Sequence, residues 1–241
     1  NMRYFIELAY DGSAFSGWQI QENSISVQQV IEDALSTILR QKIDIVGCGR
    51  TDAGVHAHQY FAHFDYDNSI PDNFIYRINS LLGKSIAIKN VSSVQPEKHA
   101  RFSANKRTYQ YFIHFSKNPF LEDYSYYLHT YPNLEAMNAA LQLLVGTHDF
   151  TTFEKKGSDN TNSICTVFEV KFLEQQEKII FRITANRFLR NMVRAITASL
   201  LMVGYGQISL QEFEATFKSK EKMHLKLVVP AKGLFLWEIK Y

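Results

Sequence analysis

Two successive stretches of this chain carry the same order of segments that predict strands and helices. In the first stretch the order is strand, helix, strand, strand, helix and strand, at 2–9, 26–40, 43–47, 56–64, 71–82 and 85–94. The second stretch repeats this order at 107–115, 133–145, 167–173, 179–185, 187–202 and 234–241, with a shorter helix at 209–218. The repeat implies that the chain folds as two copies of one supersecondary unit.

The order βαββαβ is that of a ferredoxin-like unit. The sequence therefore predicts an α+β fold with two tandem ferredoxin-like halves, at residues 1–104 and 105–241. The antiparallel sheets of the two halves are expected to join and to leave a central active-site cleft. No linker rich in proline or glycine separates the halves, which favours close packing between them.

Composition limits the class of protein. With 46% hydrophobic residues among 241, the chain can bury a sizeable core. It has no apolar run of the length that a transmembrane helix needs, so no membrane partner is expected. Two cysteines provide no disulfide framework, which fits a reducing cytoplasm. The net charge of +2 neither requires nor excludes a nucleic-acid partner.

One glycine-rich loop carries the strongest chemical signal. The run GCGRTDAGVH at 47–56 lies between two predicted strands and presents Asp52, with Arg50 two residues away. An aspartate in such a loop serves as a nucleophile, as a general base or as an ordinary turn residue. A nearby cation keeps a nucleophilic carboxylate ionised. On the loop alone, catalysis and turn formation remain equal alternatives.

Histidines in the strand after this loop suggest a metal site as a further alternative. His56 and His58 share one face of the predicted strand, whereas His63 points to the opposite face. Two histidines on one face can ligate zinc, but the neighbourhood supplies no third ligand. The sequence therefore predicts partly exposed strand histidines and no metal site.

Two further segments concentrate arginine and aromatic residues. The segment 98–111 mixes cations with aromatic side chains, as an RNA-binding surface or a solvated connector would. In the predicted helix 187–202, Arg187, Arg190 and Arg194 share a face. That face is either simply hydrated, or it brings Arg194 to a buried carboxylate, for which Asp52 is the candidate.

Several separated segments together resemble the motifs of the TruA-type tRNA pseudouridine synthases, in the same order. They are GRTDAGVHA at 49–57, Tyr10-Asp11-Gly12, Arg101-Phe102-Ser103-Ala104 with Arg107, Tyr109 and Tyr111, His148-Asp149-Phe150, Met192-Val193-Arg194, and Gly233-Leu234. Motifs in the right order along most of the chain are more specific than any one of them. One departure is that no arginine precedes the strand near Cys165, where family members often carry one.

The resemblance implies conversion of uridine to pseudouridine in tRNA, at positions 38–40 in the anticodon stem-loop. By position in the motifs, Asp52 would be the catalytic carboxylate and Arg50 would help to turn out the target base. Tyr109 would stack on the flipped uracil, and Arg194 would pair with Asp52. The remaining expected RNA contacts are Arg101, Lys106, Arg107, Arg187 and Arg190.

The resemblance also implies a cytoplasmic homodimer that needs no metal and no organic cofactor. Two other function classes predict different observations. A non-catalytic RNA-binding module would bind tRNA without forming pseudouridine, and a metal hydrolase would contain zinc at His56 and His58.

Overall fold

The computed structural model describes residues Asn1–Tyr241. The strands are β1 (Met2–Tyr10), β2 (Val46–Gly47), β3 (His56–Tyr66), β4 (Ile86–Val94), β5 (Lys106–His114), β6 (Tyr126–Tyr127), β7 (Gly146–Asp149), β8 (Ile164–Gln175), β9 (Lys178–Ala185) and β10 (Leu234–Lys240). The α-helices are α1 (Val27–Leu39), α2 (Phe74–Leu81), α3 (Leu134–Gln142), α4 (Met192–Gly204) and α5 (Leu210–Lys218). The predicted α+β class is confirmed. No helix has the length and apolar character needed to span a bilayer.

The chain divides into two compact units. The first comprises Asn1–Asn105 together with Phe235–Tyr241, and the second comprises Lys106–Leu234. The predicted halves of 1–104 and 105–241 placed the C-terminal strand in the second half, whereas most of that strand clusters with the first unit. Whether the two halves act as separate functional domains stays a prediction.

The sheet of the first unit is built around β3. Strands β1 and β4 follow it on one side in antiparallel order. On the other side, β10 pairs in parallel with the beginning of β3, and β2 pairs in antiparallel order with its later part. The glycine-rich loop between β2 and β3 is thus fixed at both ends to one sheet.

The predicted strand at 43–47 is reduced to two residues in the structure. The backbone N–H of Ile43 donates to the Ser36 hydroxyl, and the N–H of Ile45 donates to the Glu32 carboxylate at 2.9 Å. Side chains of α1 thus replace the partners that a neighbouring strand would supply. The Glu32 side chain is buried, and this burial raises the pKa of its carboxyl.

Within the second unit, β5, β9, β8 and β7 pair in this order, each antiparallel to the next. Helix α4 is buried on nearly all sides, with Arg194 the residue in its span that is not. A helix that is apolar all round is typical of the inside of a domain.

Two short strands, β6 and β7, were not predicted from the sequence.

The prediction of a helix at 187–202 was wrong at its beginning. Asn191 has a left-handed backbone with φ of 62°, and α4 begins only at Met192. Arg187 and Arg190 therefore lie in the loop before α4 and do not share a helical face with Arg194. The predicted basic stripe on one helix does not exist.

Candidate active site

The loop that carries Asp52 is held by hydrogen bonds to the end of β1 and to the segment after it. The carbonyl of Thr51 accepts from the N–H of Trp18 at 3.2 Å, and the Thr51 hydroxyl lies 2.7 Å from that of Tyr10. The carbonyl of Asp52 accepts from the N–H of Val55 at 3.1 Å, which closes a tight turn. Main-chain groups and Thr51 thus fix the loop, and the carboxylate of Asp52 takes no part in holding it.

Two glycines allow the segment after β1 to approach the loop this closely. A Cβ atom on Gly12 would lie 2.0 Å from the carbonyl oxygen of Val55. One on Gly17 would lie 2.4 Å from the carbonyl oxygen of Thr51, and Gly17 has a φ of +90°. Only glycine fits at either position without displacement of backbone.

Three aromatic rings form a rigid floor below the loop. Trp18 stacks on Tyr60 with ring centroids 4.1 Å apart, and Tyr10 lies 5.6 Å from Tyr60. The hydroxyl of Tyr60 donates to the carbonyl of Gly49. A Cβ atom on Gly47 would lie 2.1 Å from the Tyr60 hydroxyl, so this glycine is also dictated by contact. These contacts help to position the loop.

The two side chains that the sequence singled out are open to a substrate. Asp52 is half-buried and Arg50 is exposed. Within the first unit, no ion pair or hydrogen bond engages the carboxylate of Asp52. This carboxylate lies on a well-fixed loop but makes no hydrogen bond to it. Its oxygens are therefore suited to act on a bound molecule.

His56 has a structural position next to this loop. Its Nδ1 accepts from the N–H of Gly12 at 2.9 Å, so the lone pair on that nitrogen is already used. Asp11 lies 3.3 Å from the same Nδ1, and it accepts from the N–H of Ser13. His58 instead stacks on Trp237 at 3.9 Å. His56 is 1% exposed, so the prediction that it is partly exposed was wrong.

His63 is likewise buried, contrary to the prediction of partly exposed strand histidines. Its Nδ1 accepts from the N–H of Ala100 at 3.0 Å. Burial lowers the pKa of His63 to about 4, and the positive charges of Arg3 and His99 add to this effect, while Asp65 opposes it. The neutral imidazole is therefore the form that the fold requires.

Burial of neutral His63 predicts a loss of stability in acid. Its pKa is lowered on folding, so between its unfolded value and about 4 the unfolded chain binds more protons, and the free energy of unfolding falls as pH falls. We expect the free energy of unfolding to be up to about 3 kcal/mol higher above that pH window than below it, because of this group. Chemical denaturation between pH 7 and 4 measures it. His63→Asn, which keeps an acceptor but does not titrate, should give a flatter profile, and equal slopes would contradict the assignment.

In the second unit, Tyr109 and Arg194 have defined surroundings. The half-buried Tyr109 ring meets Phe188 edge to face at 5.0 Å. Arg194 donates from Nε and Nη2 to the carbonyl of Val229, at 3.1 Å and 2.9 Å. The guanidinium thus also anchors the segment before β10, a role that the sequence did not reveal. The predicted pairing of Arg194 with Asp52 stays a prediction.

Two of the predicted RNA-binding arginines hold loops of the second unit. Arg107 donates from Nη1 to the carbonyl of Asn186 at 2.8 Å. Arg187 donates from Nη1 to the carbonyls of Asn162 and Ile164, both at 3.2 Å. These arginines order the chain around β8 and the loop before α4. A role in RNA binding would be additional to this structural one.

The other predicted RNA contacts are on the surface. Arg101, Lys106 and Arg190 are exposed. The ammonium of Lys106 lies 5.0 Å from the centroid of the Phe168 ring, a cation–π distance. Their contacts with RNA stay predictions.

Comparisons with known proteins agree along the chain. Residues 140–241 match the family model described as tRNA pseudouridine synthase. The tRNA pseudouridine synthase A of Parabacteroides distasonis is 43% identical, over 99% of this chain and 96% of that protein. The protein of the same name from Bacteroides fragilis is 41% identical over the same shares. The one from Bacillus subtilis is 37% identical over 100% of this chain and 99% of its own length.

Proposed function

This chain belongs to the tRNA pseudouridine synthase A family, and from that premise we propose that Asp52 is its catalytic carboxylate. The protein is an isomerase that converts uridine in tRNA to pseudouridine. The observation that carries the proposal for Asp52 is the loop itself. It is fixed by its main chain and by Thr51, and it leaves the Asp52 carboxylate without a partner in its unit.

The reaction needs a carboxylate and no redox cofactor. The bond between N1 of uracil and C1′ of ribose breaks, the base turns, and a bond forms between C5 and C1′. A proton leaves C5 and N1 gains one, so atoms and electrons balance within the nucleotide. A carboxylate serves this reaction either as a nucleophile at the sugar or as a base that removes a sugar proton, and both roles need the ionised form.

The target uridine lies, in this proposal, on the 3′ side of the anticodon stem-loop. Removing a base from its stack costs a few kcal/mol. Arg50, exposed two residues from Asp52, would hold the place of the extruded base. The ring of Tyr109 would stack on the detached uracil, so that rejoining proceeds as an intramolecular step.

The cations on the surface would bind the tRNA backbone. Arg101, Lys106 and Arg190 are exposed and chemically suited to phosphate. Arg107 and Arg187 would contribute mainly by ordering the loops that they already hold. The proposal also includes a cytoplasmic location and a homodimer. Light scattering tests the homodimer, for which it should report twice the mass of one chain.

Mapping of the product tests this proposal. Unmodified tRNA transcripts incubated with the purified protein should acquire pseudouridine on the 3′ side of the anticodon stem-loop. Pseudouridine confined to another arm of the tRNA would contradict the proposed target. Tight binding of tRNA without conversion would support a non-catalytic RNA-binding module instead. One zinc ion per chain in the purified protein would support the metal hydrolase.

A double-mutant cycle tests the proposed pair of Arg194 and Asp52. We expect Arg194→Leu to destabilise the protein, and to do so less when Asp52 is already Asn, because the lost partner then no longer matters. Contacting charges couple by roughly 0.5–3 kcal/mol. Denaturant unfolding of the four proteins measures the coupling energy.

The exposed Arg190 supplies the matched control for this cycle. Arg190→Leu should add to Asp52→Asn without coupling. If Arg194→Leu is equally additive, Arg194 serves only the segment at Val229, and the pair does not exist.

A further inference from the structure

The ring of Phe102 is exposed but firmly supported. It is 75% exposed in the turn that precedes β5. One face stacks on the imidazole of His99, with ring centroids 4.4 Å apart and the planes 30° from parallel. Single exposed apolar side chains are common and need no explanation. What distinguishes Phe102 is that the surrounding chain fixes its orientation.

Hydrogen bonds within the turn hold the supporting histidine. The Nδ1 of His99 accepts from the N–H of Arg101 at 3.1 Å and from that of Phe102 at 3.2 Å. The N–H of His99 donates to the Ser103 hydroxyl, and the N–H of Ser103 donates to the carbonyl of His99. The imidazole and the aromatic ring are thus tied to the same five-residue turn.

Further rings connect this turn to the core of the first unit. His63, buried in β3, meets His99 edge to face with centroids 4.6 Å apart. His63 in turn lies nearly parallel to Phe5 of β1, with centroids 6.1 Å apart. The N–H of Ala100 donates to His63, and the carbonyl of Ala100 accepts from the hydroxyl of Tyr241. A flat ring is therefore presented to solvent in one fixed orientation.

Two cations belong to the chain around this ring. The guanidinium carbon of Arg101 lies 5.4 Å from the centroid of the Phe102 ring. Lys98, in the same turn region, places its ammonium 5.3 Å from the ring of Tyr241. A flat ring beside cations matches a nucleotide, which offers a base to stack and a phosphate to neutralise. A second copy of this turn would bring like charge against like charge.

We propose that Phe102 stacks on a base of the bound tRNA and that Arg101 binds the adjoining phosphate. The base is that of an unstacked nucleotide other than the target uridine, which is assigned to Tyr109. The inference rests on tRNA as the substrate and is independent of the role of Asp52. A support that is rigid before binding lowers the entropy lost when the base is captured.

Binding of whole tRNA to Phe102 variants tests the proposal. Phe102→Ala and Phe102→Leu should both weaken the tRNA affinity by about 5- to 100-fold, because neither offers a π-face. Phe102→Trp should restore it. Phe120, which is 89% exposed in the second unit, supplies the matched control, and Phe120→Ala should bind normally. Thermal unfolding of every variant should match wild type.

Three results would overturn the proposal. The first is normal affinity of Phe102→Ala; the second is wild-type affinity of Phe102→Leu, which would show apolar packing instead of stacking. The third is a change of oligomeric mass with unchanged affinity, which would assign the ring to a second copy. A failure of pseudouridine mapping on the anticodon stem-loop is a separate result, since the binding assay uses whole tRNA whatever uridine is modified.

Arg101→Gln gives an independent check on the phosphate. Loss of one phosphate contact should reduce the slope of log affinity against log salt by about 1. Lys42, exposed and paired with Asp44 in the first unit, provides the control, and Lys42→Gln should leave the slope unchanged. An unchanged slope for Arg101→Gln would remove the phosphate from the proposal.

Discussion

Asp52→Asn is expected to abolish pseudouridine formation, with a loss of at least about 10³-fold in rate. The amide has nearly the shape of the carboxylate but is neither a nucleophile nor a base. The loop should keep its conformation, because the carbonyls of Thr51 and Asp52 accept the hydrogen bonds that hold it. Affinity for tRNA and the free energy of unfolding should therefore stay near wild type.

Single-turnover kinetics with tRNA in excess of its dissociation constant measures this loss directly. The matched control is Asp44→Asn, in the segment just before β2. The Asp44 side chain is 73% exposed, and its Oδ1 lies 3.5 Å from Nζ of Lys42. This control should react at the wild-type rate. A normal rate for Asp52→Asn would show that Asp52 takes no part in the chemistry. The measured free energy of unfolding shows whether a slow variant is slow because it is misfolded.

Gly12→Ala is expected to destabilise the protein by about 1–3 kcal/mol, and to reduce activity as well. The new Cβ would lie 2.0 Å from the carbonyl oxygen of Val55, a main-chain atom that cannot rotate away. Val55 closes the turn on Asp52 through a hydrogen bond of 3.1 Å, so displacement of one moves the other. Stability and catalysis should therefore fall together.

Gly49→Ala is the control for this effect. Its Cβ would meet no atom within 4 Å, although Gly49 lies in the same loop as Asp52. Its free energy of unfolding should stay within about 0.5 kcal/mol of wild type. Urea denaturation of both variants makes the comparison, and equal destabilisation would show that the close approach of Gly12 is not what orders the loop.

Much of the fold could be predicted from local patterns. Local residue patterns placed β1 and β5 within a residue or two of their observed ends, by an apolar run for β1 and by alternation for β5. Helix α1 begins after Ser26, whose side chain accepts from the N–H of Gln29, a capping interaction that short-range sequence encodes. These features depend on neighbours along the chain, which a sequence displays directly.

Features that depend on distant partners could not be predicted. The left-handed backbone at Asn191 delays α4, although the apolar periodicity continues through that residue. Ile43 and Ile45 look like a strand, but their N–H groups bond to side chains of α1. Neither the positive φ nor the side-chain acceptors that replace a neighbouring strand can be recognised in the local pattern.

The candidate site shows the same contrast. Asp52 and Arg50 could be singled out because glycines and charges crowd one short run. The contribution of Gly12 and His56 depends on a hydrogen bond between residues far apart in sequence, at 2.9 Å. The stacking of Phe102 on His99, and of His99 against His63, could be seen only in the structure. The cations of this turn had already singled it out in the sequence.

Pseudouridine mapping in cells tests the central claim most directly. The tRNA is taken from cells that lack this gene and carry either a wild-type copy or an Asp52→Asn copy. We predict that pseudouridine on the 3′ side of the anticodon stem-loop is lost with the gene and restored by the wild-type copy alone. Restoration by the Asp52→Asn copy, at matched protein levels, would contradict the account.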